Sequence, residues 1–168
     1  MSDLELKLLD PATDLDLFRE AYYWRPERKK HVQPDRMSFE VFSSDDPSHI
    51  AVGAFNGEFL AVFFFHEFEP GKFESHFTSR RGTSRDTLLT AARQTIDHFL
   101  DNGATELTAW IVARNRPLRA FVEQLGFVTQ ERRVIPAHFF PCVQGDVSLN
   151  SVAVERNFVK YAIKGEPP

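Results

Sequence analysis

One continuous unit, residues 73–127, constrains the fold more than any other part of the chain. It reads as an alternating strand-like segment (FESHFTS), a basic turn (RRGTSR), a long helical segment (DTLLTAARQTIDHFLDNG), a second strand (ELTAWIV) and a second helical segment (NRPLRAFVEQLGF). A helix that joins two strands of one sheet returns the chain to its starting end. The two strands are therefore expected to be parallel, with a right-handed crossover. Leu88, Leu89, Ala92, Ile96, Phe99 and Leu100 recur at helical spacing, which predicts a helix over residues 86–102, stopped by Gly103. Residues 106–112 form the second strand. Pro117 opens the next helix, with Leu118, Phe121, Val122 and Leu125 on one face, and Gly126 ends it.

The flanks are rich in strand signals. Leu4, Leu6 and Leu8 alternate with polar neighbours before Asp10-Pro11 breaks the pattern. Thr13 or Asp14 can cap a helix running to about Tyr23, with Leu15, Phe18 and Tyr22 on one face. Runs at 50–55 and 58–68 flank Asn56-Gly57, a pair that favours a type I′ hairpin turn. Residues 61–65 contain no polar side chain, so that strand should be covered on both faces. Pro70-Gly71 turns into a third strand, 72–79, and further strands are expected at 127–135 and 157–164. Residues 39–42 suit a short helix or strand, while 24–37 and 136–156 read as loops. These elements specify one α+β domain over residues 1–168, with a mixed, mostly antiparallel sheet flanked by helices.

The net charge of -4 argues against a nucleic-acid binder. The first residues are too charged for a signal peptide, and no apolar run is long enough to span a membrane. The single cysteine, Cys142, permits no internal disulfide and fits a reducing compartment, so a cytoplasmic location is expected. Six histidines show neither metal-ligand spacing nor a cysteine partner, and no metal site is expected. Seventeen phenylalanines point to a core built on aromatic bulk or to a flat apolar ligand surface.

The turn Arg80-Arg81-Gly82-Thr83-Ser84-Arg85 lies between a strand and a helix. Unpaired amides at a helix start, a glycine that permits close approach, two hydroxyls and three guanidiniums suit a diphosphate. Glu74 and His76 alternate with Phe73, Ser75 and Phe77, so both point to one face of their strand. If that face borders a cleft, either can take a proton from a substrate ammonium.

Taken together, the chain resembles the GNAT superfamily of N-acetyltransferases, particularly its divergent members in tailed-phage genomes. The likeness runs from about Leu4 to Lys164. It is most specific at residues 115–127, where Asn115, Glu123, Leu125, Gly126 and Phe127 keep the family pattern. Arg81-Gly82 stands where the family's pyrophosphate loop opens its central helix. The resemblance implies that the chain binds acetyl-CoA and transfers the acetyl group to a small-molecule or protein amine by direct attack. It places pantetheine between the strands ending near Ser79 and Val112. Thr78, Ser79, Arg81, Gly82, Thr83, Ser84, Arg85 and Asn115 would hold the coenzyme, with Glu74 and His76 as bases and Glu74 favoured by the family. Two departures stand out. The loop's second glycine is missing, and Val122 occupies the position of the tyrosine that commonly protonates the leaving thiolate. The alternative is a non-catalytic protein of the same fold acting in phage assembly or host-protein interaction. The acceptor and the oligomeric state stay open, a homodimer among the options.

Overall fold

The structure, a computed structural model, describes residues 3–25, 39–137 and 154–166. In chain order the elements are β1 (Glu5–Leu9), α1 (Leu15–Tyr22), α2 (Phe39–Phe42, a single turn), β2 (His49–Phe55), β3 (Phe59–Glu69) and β4 (Lys72–Ser79). They continue with α3 (Arg85–Asp101), β5 (Glu106–Val112), α4 (Arg116–Gln124), β6 (Val128–Ile135) and β7 (Arg156–Lys164).

All seven strands join one sheet in the order β1-β2-β3-β4-β5-β7-β6. Every neighbouring pair is antiparallel except β4–β5, which is parallel as the helical crossover requires. The fold class expected from the sequence is therefore the one observed. The parallel pair is short. Only Lys72, Phe73 and Glu74 pair with Glu106, Leu107 and Thr108. Beyond them β4 continues to Ser79 beside β3, and β5 continues to Val112 beside β7, without pairing to each other. The sheet thus opens into a V between its two halves.

The two faces of the sheet bury different side chains. On one face α3 and α4 cover Phe65, Phe73, Leu107, Val159 and Tyr161. Phe99 of α3 stacks on Phe65 with ring centroids 4.0 Å apart and meets Phe73 edge-on at 5.1 Å. On the other face α1 and α2 pack Phe18, Tyr22 and Phe42 over Val62 and Phe59, with Phe64 partly buried against them. Coverage on both sides explains the uninterrupted apolar run in β3. The phenylalanine content is largely absorbed by these two layers.

The sequence signal at Asn56-Gly57 correctly marks a hairpin but not its turn. Phe55 pairs with Phe59 and a register shift follows Ala54, so the loop has three residues, 56–58, with an irregularity in place of a two-residue turn. Gly57 takes a positive φ, +83°. Asp14 occupies the N-cap of α1, yet its carboxylate does not cap. It accepts the Asp10 amide at 2.9 Å and the Lys7 ammonium at 2.9 Å, tying α1 to β1. Residues 39–42 are helical. Cys142 and most of the segments 24–37 and 136–156 lie outside the described residues.

Leu125-Gly126-Phe127 closes α4 with a Schellman arrangement. The Gly126 amide donates to Glu123 O at 3.0 Å and the Phe127 amide to Val122 O at 3.1 Å. Gly126 takes φ +98°, which a side chain rarely adopts, and Phe127 is buried behind it. The most recognisable part of the sequence is therefore, physically, a helix stop plus its hydrophobic anchor.

Candidate functional site

The V is fixed at its vertex by two hydroxyls. Ser75 Oγ donates to Thr108 O at 2.9 Å, and Thr108 Oγ1 donates to Phe73 O at 3.3 Å. From Ser75 to Ser79 the side of β4 facing β5 has no strand partner. That side can accept an extended amide-bearing ligand in place of a strand. The space between the diverging strands is a cleft of about 260 Å³. Phe63, Phe65 and Phe77 line it from the sheet, Ile96 from α3, and Leu118, Phe121 and Val122 from α4. Aromatic side chains narrow this space without plugging it.

The cleft has a more polar side, formed by Arg25, His76 and Trp110. His76 pairs across β3 with Phe64, and their rings lie 6.1 Å apart. Burial, with help from His66, His49 and Arg25, pushes His76 down to about 4. It is neutral at physiological pH and can accept a proton only weakly. Glu74 is placed differently. It is 3% exposed, at the last paired position of the vertex, opposite His66 on β3 and Thr108 on β5. The cleft lining contains His76 and not Glu74. The alternation that put both on one face of β4 is correct, but only His76 reaches the open space. Glu74 stops where the strands are still bonded.

The basic turn opens α3, a helix of 17 residues. Ser84 is its N-cap and accepts the Thr87 amide at 3.1 Å. The Ser84 hydroxyl proton goes to Thr87 Oγ1 at 2.8 Å. Thr83 turns inward, donating its hydroxyl at 2.8 Å and its amide at 3.2 Å to Arg80 O. The two hydroxyls and the Thr83 amide are thus spent on shaping the loop, against the expectation that they face a ligand. The amides of Arg81, Gly82, Ser84, Arg85 and Asp86 have no backbone acceptor among the described residues. Gly82 sits at φ +90° with nothing within 4 Å of where a Cβ would stand, so the backbone is open to close approach.

The three guanidiniums also divide. Arg80 binds Glu20 at 2.6 Å and Glu58 at 3.1 Å. The hydrogen bond to Glu20 is the main cause of its raised pKa. Its charge is paired, and it anchors the basic turn to α1 and to the loop between β2 and β3. Arg85 reaches across to α4, donating to Gln124 Oε1 at 2.8 Å with its guanidinium 6.0 Å from the Phe121 ring centre. Arg81 is exposed.

Asn115 is the N-cap of α4, and its Oδ1 accepts the Leu118 amide at 3.2 Å. Its carbonyl serves the helix, and it is absent from the cleft lining. Thr78 and Ser79 pair with Val62 and Ala61 on β3, at the open end of the V. Val122 is buried and lines the cleft, as its place in the sequence demands. A tyrosine lies nearby in the fold, but its proton is taken: Tyr161 Oη donates to Glu123 Oε1 at 2.9 Å and accepts Arg119 Nε at 2.9 Å. This network pins α4 to β7. The i, i+4 spacing of Arg119 and Glu123 was its one sequence signal, and nothing in the sequence tied it to Tyr161.

Comparison with solved structures settles the architecture. A variant of the spermidine N-acetyltransferase from Vibrio cholerae superposes with a TM-score of 0.71 at 12% identity, covering 98% of this chain and 95% of that one. A ribosomal-protein-alanine acetyltransferase from Vibrio fischeri gives 0.69 at 12%, covering 100% and 97%. An N-acetyltransferase from Staphylococcus aureus gives 0.67 at 15%, covering 96% and 97%. The chain has the GNAT fold. No family model and no curated protein matches the sequence, so the likeness to GNAT proteins is one of architecture. It extends over nearly the whole chain. Among the described residues, no helix is long and apolar enough to cross a membrane, and no group of acidic, histidine or cysteine side chains could hold a metal.

Proposed function

We propose that the protein is a coenzyme A-dependent N-acyltransferase, with acetyl-CoA as its simplest donor and an amine as acceptor. The observation that carries this reading is the V between β4 and β5, which opens beside a helix start with unsatisfied amides. The coenzyme's diphosphate would lie against the amides of Arg81, Gly82, Ser84 and Arg85. Arg81 and Arg85 would supply charge, and pantetheine would run along the unpaired side of β4 past Thr78 and Ser79. This arrangement brings the thioester to the level of Ser75 and His76.

The amine nitrogen then attacks the thioester carbonyl. A C–N bond forms, the C–S bond breaks and sulfur leaves as thiolate. A thiol's ordinary pKa near 8.5 lets it leave without an obligatory acid. The acceptor's proton passes to water or transiently to His76. A base that titrates near 4 does little against an ammonium, so the acceptor reacts in its neutral form. Transfer is tested by following free thiol release from acetyl-CoA with a panel of amines. Turnover with at least one amine supports the reading, and no turnover with any amine removes it.

A second reading, a non-catalytic binding protein of this fold, is favoured by Val122. No tyrosine lines the cleft, and the lining hydroxyl, Ser75, already gives its proton to Thr108. It predicts coenzyme binding without turnover, or neither.

A further inference from the structure

Resting on the coenzyme reading, we infer that Tyr161 is a positioning residue for the pantetheine arm. Through Arg119 and Glu123 it fixes α4 across the V, and so sets the width and lining of the slot the arm enters. Strand pairing between β4 and β5 ends at Glu74 and Thr108, and beyond that point no ladder sets their separation. The separation then depends on whatever touches both strands. α4 does. Its Phe121 stacks on Phe77 of β4 with ring centres 5.3 Å apart. Its Arg119 Nη1 donates to the carbonyl of Ala113, the residue after β5, at 3.0 Å. The helix is a crosspiece between the two halves of the sheet.

Tyr161 fixes how that crosspiece is turned. β7 pairs with β5 over all of Glu106–Val112, with Tyr161 opposite Ala109, so a bond to Tyr161 is in effect a bond to the β5 side of the V. The tyrosine is fully buried. Its hydroxyl accepts from Arg119 Nε at 2.9 Å and donates to Glu123 Oε1 at 2.9 Å. Arg119 and Glu123 stand one helical turn apart, so a single oxygen holds α4 at two points along its length. Hydrogen bonds weaken steeply off line, and this pair therefore favours one rotation of the helix about its axis. That rotation decides what the arm meets. Leu118, Phe121, Val122 and Leu125 of α4 line the cleft, while Arg119 and Glu123 do not. A satisfied polar network specifies one such arrangement more sharply than apolar packing alone.

The test is calorimetric titration with CoA of wild-type protein and of Tyr161→Phe, Glu123→Ala and Glu123→Gln, each at several salt concentrations. Tyr161→Phe keeps the ring and removes both bonds at the hydroxyl. Glu123→Gln keeps an acceptor for it, and Glu123→Ala does not. Tyr161→Phe and Glu123→Ala should bind CoA at least about tenfold more weakly, because a small displacement of a slot wall is felt strongly by what it positions. Glu123→Gln should stay within about twofold of wild type. The fall of affinity with salt should be as steep in the weakened variants as in wild type, because the phosphate contacts at the start of α3 remain. Wild-type affinity in Tyr161→Phe or Glu123→Ala overturns the inference and leaves the coenzyme reading standing, as does a Glu123→Gln variant no tighter than Glu123→Ala. A flattened salt dependence also overturns it, since the loss would then come through the basic turn. Wild-type protein that does not bind CoA overturns both. Glu123 is exposed, so its two variants decide the matter even if Tyr161→Phe fails to fold.

Discussion

Ser75 Oγ donates a 2.9 Å hydrogen bond to Thr108 O across the point where β4 and β5 separate. This contact holds the vertex of the V closed while the rest of β4 stays free on that side. A net contribution of about 1 kcal/mol is ordinary for such a bond. It also determines where the cleft begins, because the next residue, His76, is the first whose side chain reaches the cleft's polar side.

Ser75→Ala should therefore destabilise the fold by about 1 kcal/mol and weaken coenzyme binding more than that loss alone explains. Chemical denaturation gives the first quantity and calorimetric titration the second. Unchanged binding in a destabilised variant would show that the vertex is structural only.

Phe99 fills the space between α3 and the β3–β4 part of the sheet, stacking on Phe65 and meeting Phe73 edge-on. Phe99→Ala removes both contacts and leaves a cavity, with an expected cost of about 3–5 kcal/mol. Urea unfolding checks this directly. A loss below about 1 kcal/mol would mean that the aromatic layer is not the core.

Much of this architecture was legible in the sequence, because hydrophobic period, helix caps and crossover direction are local or near-local signals. The strand boundaries at Lys72–Ser79 and Glu106–Val112 follow directly from them. The site was less legible, for a physical reason. Whether Glu74 or His76 faces the cleft depends on where β5 leaves β4, and no local pattern encodes that point. Likewise, Thr83, Ser84 and Asn115 looked like ligand donors, since the same groups serve equally well as caps. Only the structure shows them spent on Arg80, Thr87 and Leu118. Arg80 reads in the sequence as a free cation, but Glu20 and Glu58, distant in sequence, pair with it.

The fall of stability in acid should come from buried histidines, His66 and His76 foremost, with His49 also lowered by burial. His66 and His76 are both held down to about 4, mainly by burial and secondly by each other's neighbourhood of imidazoles. The unfolded chain binds these protons near pH 6.5, while the folded chain binds them only near 4. Stability is therefore full above about pH 6.5 and falls as pH drops from there toward 4. The loss should be on the order of 1–3 kcal/mol for the pair once solvent screening is allowed. Thermal melts at pH 7.5 and 5 measure it. His66→Asn should reduce the difference, with His76 supplying the remainder, and an unchanged slope in that variant would assign the effect elsewhere.

Gly82 holds φ +90° with open space around it. Gly82→Ala meets no clash but strains the backbone, at a cost of about 1–2 kcal/mol. Its larger effect should be on coenzyme affinity, because the loop amides lose their common direction. A titration of Gly82→Ala with CoA should show binding at least about tenfold weaker. Wild-type affinity would mean that the loop does not touch the phosphates.

The central claim is that the amides and guanidiniums at the start of α3 hold a coenzyme's diphosphate at the mouth of the V. The most direct measurement is low-salt calorimetry of CoA with wild-type protein and with the Arg81→Ala/Arg85→Ala double variant. The account predicts saturable heat with wild type, weakening as salt is raised, and a loss of at least about tenfold in affinity in the variant. No heat from millimolar CoA, or equal affinity in the two proteins, would contradict it.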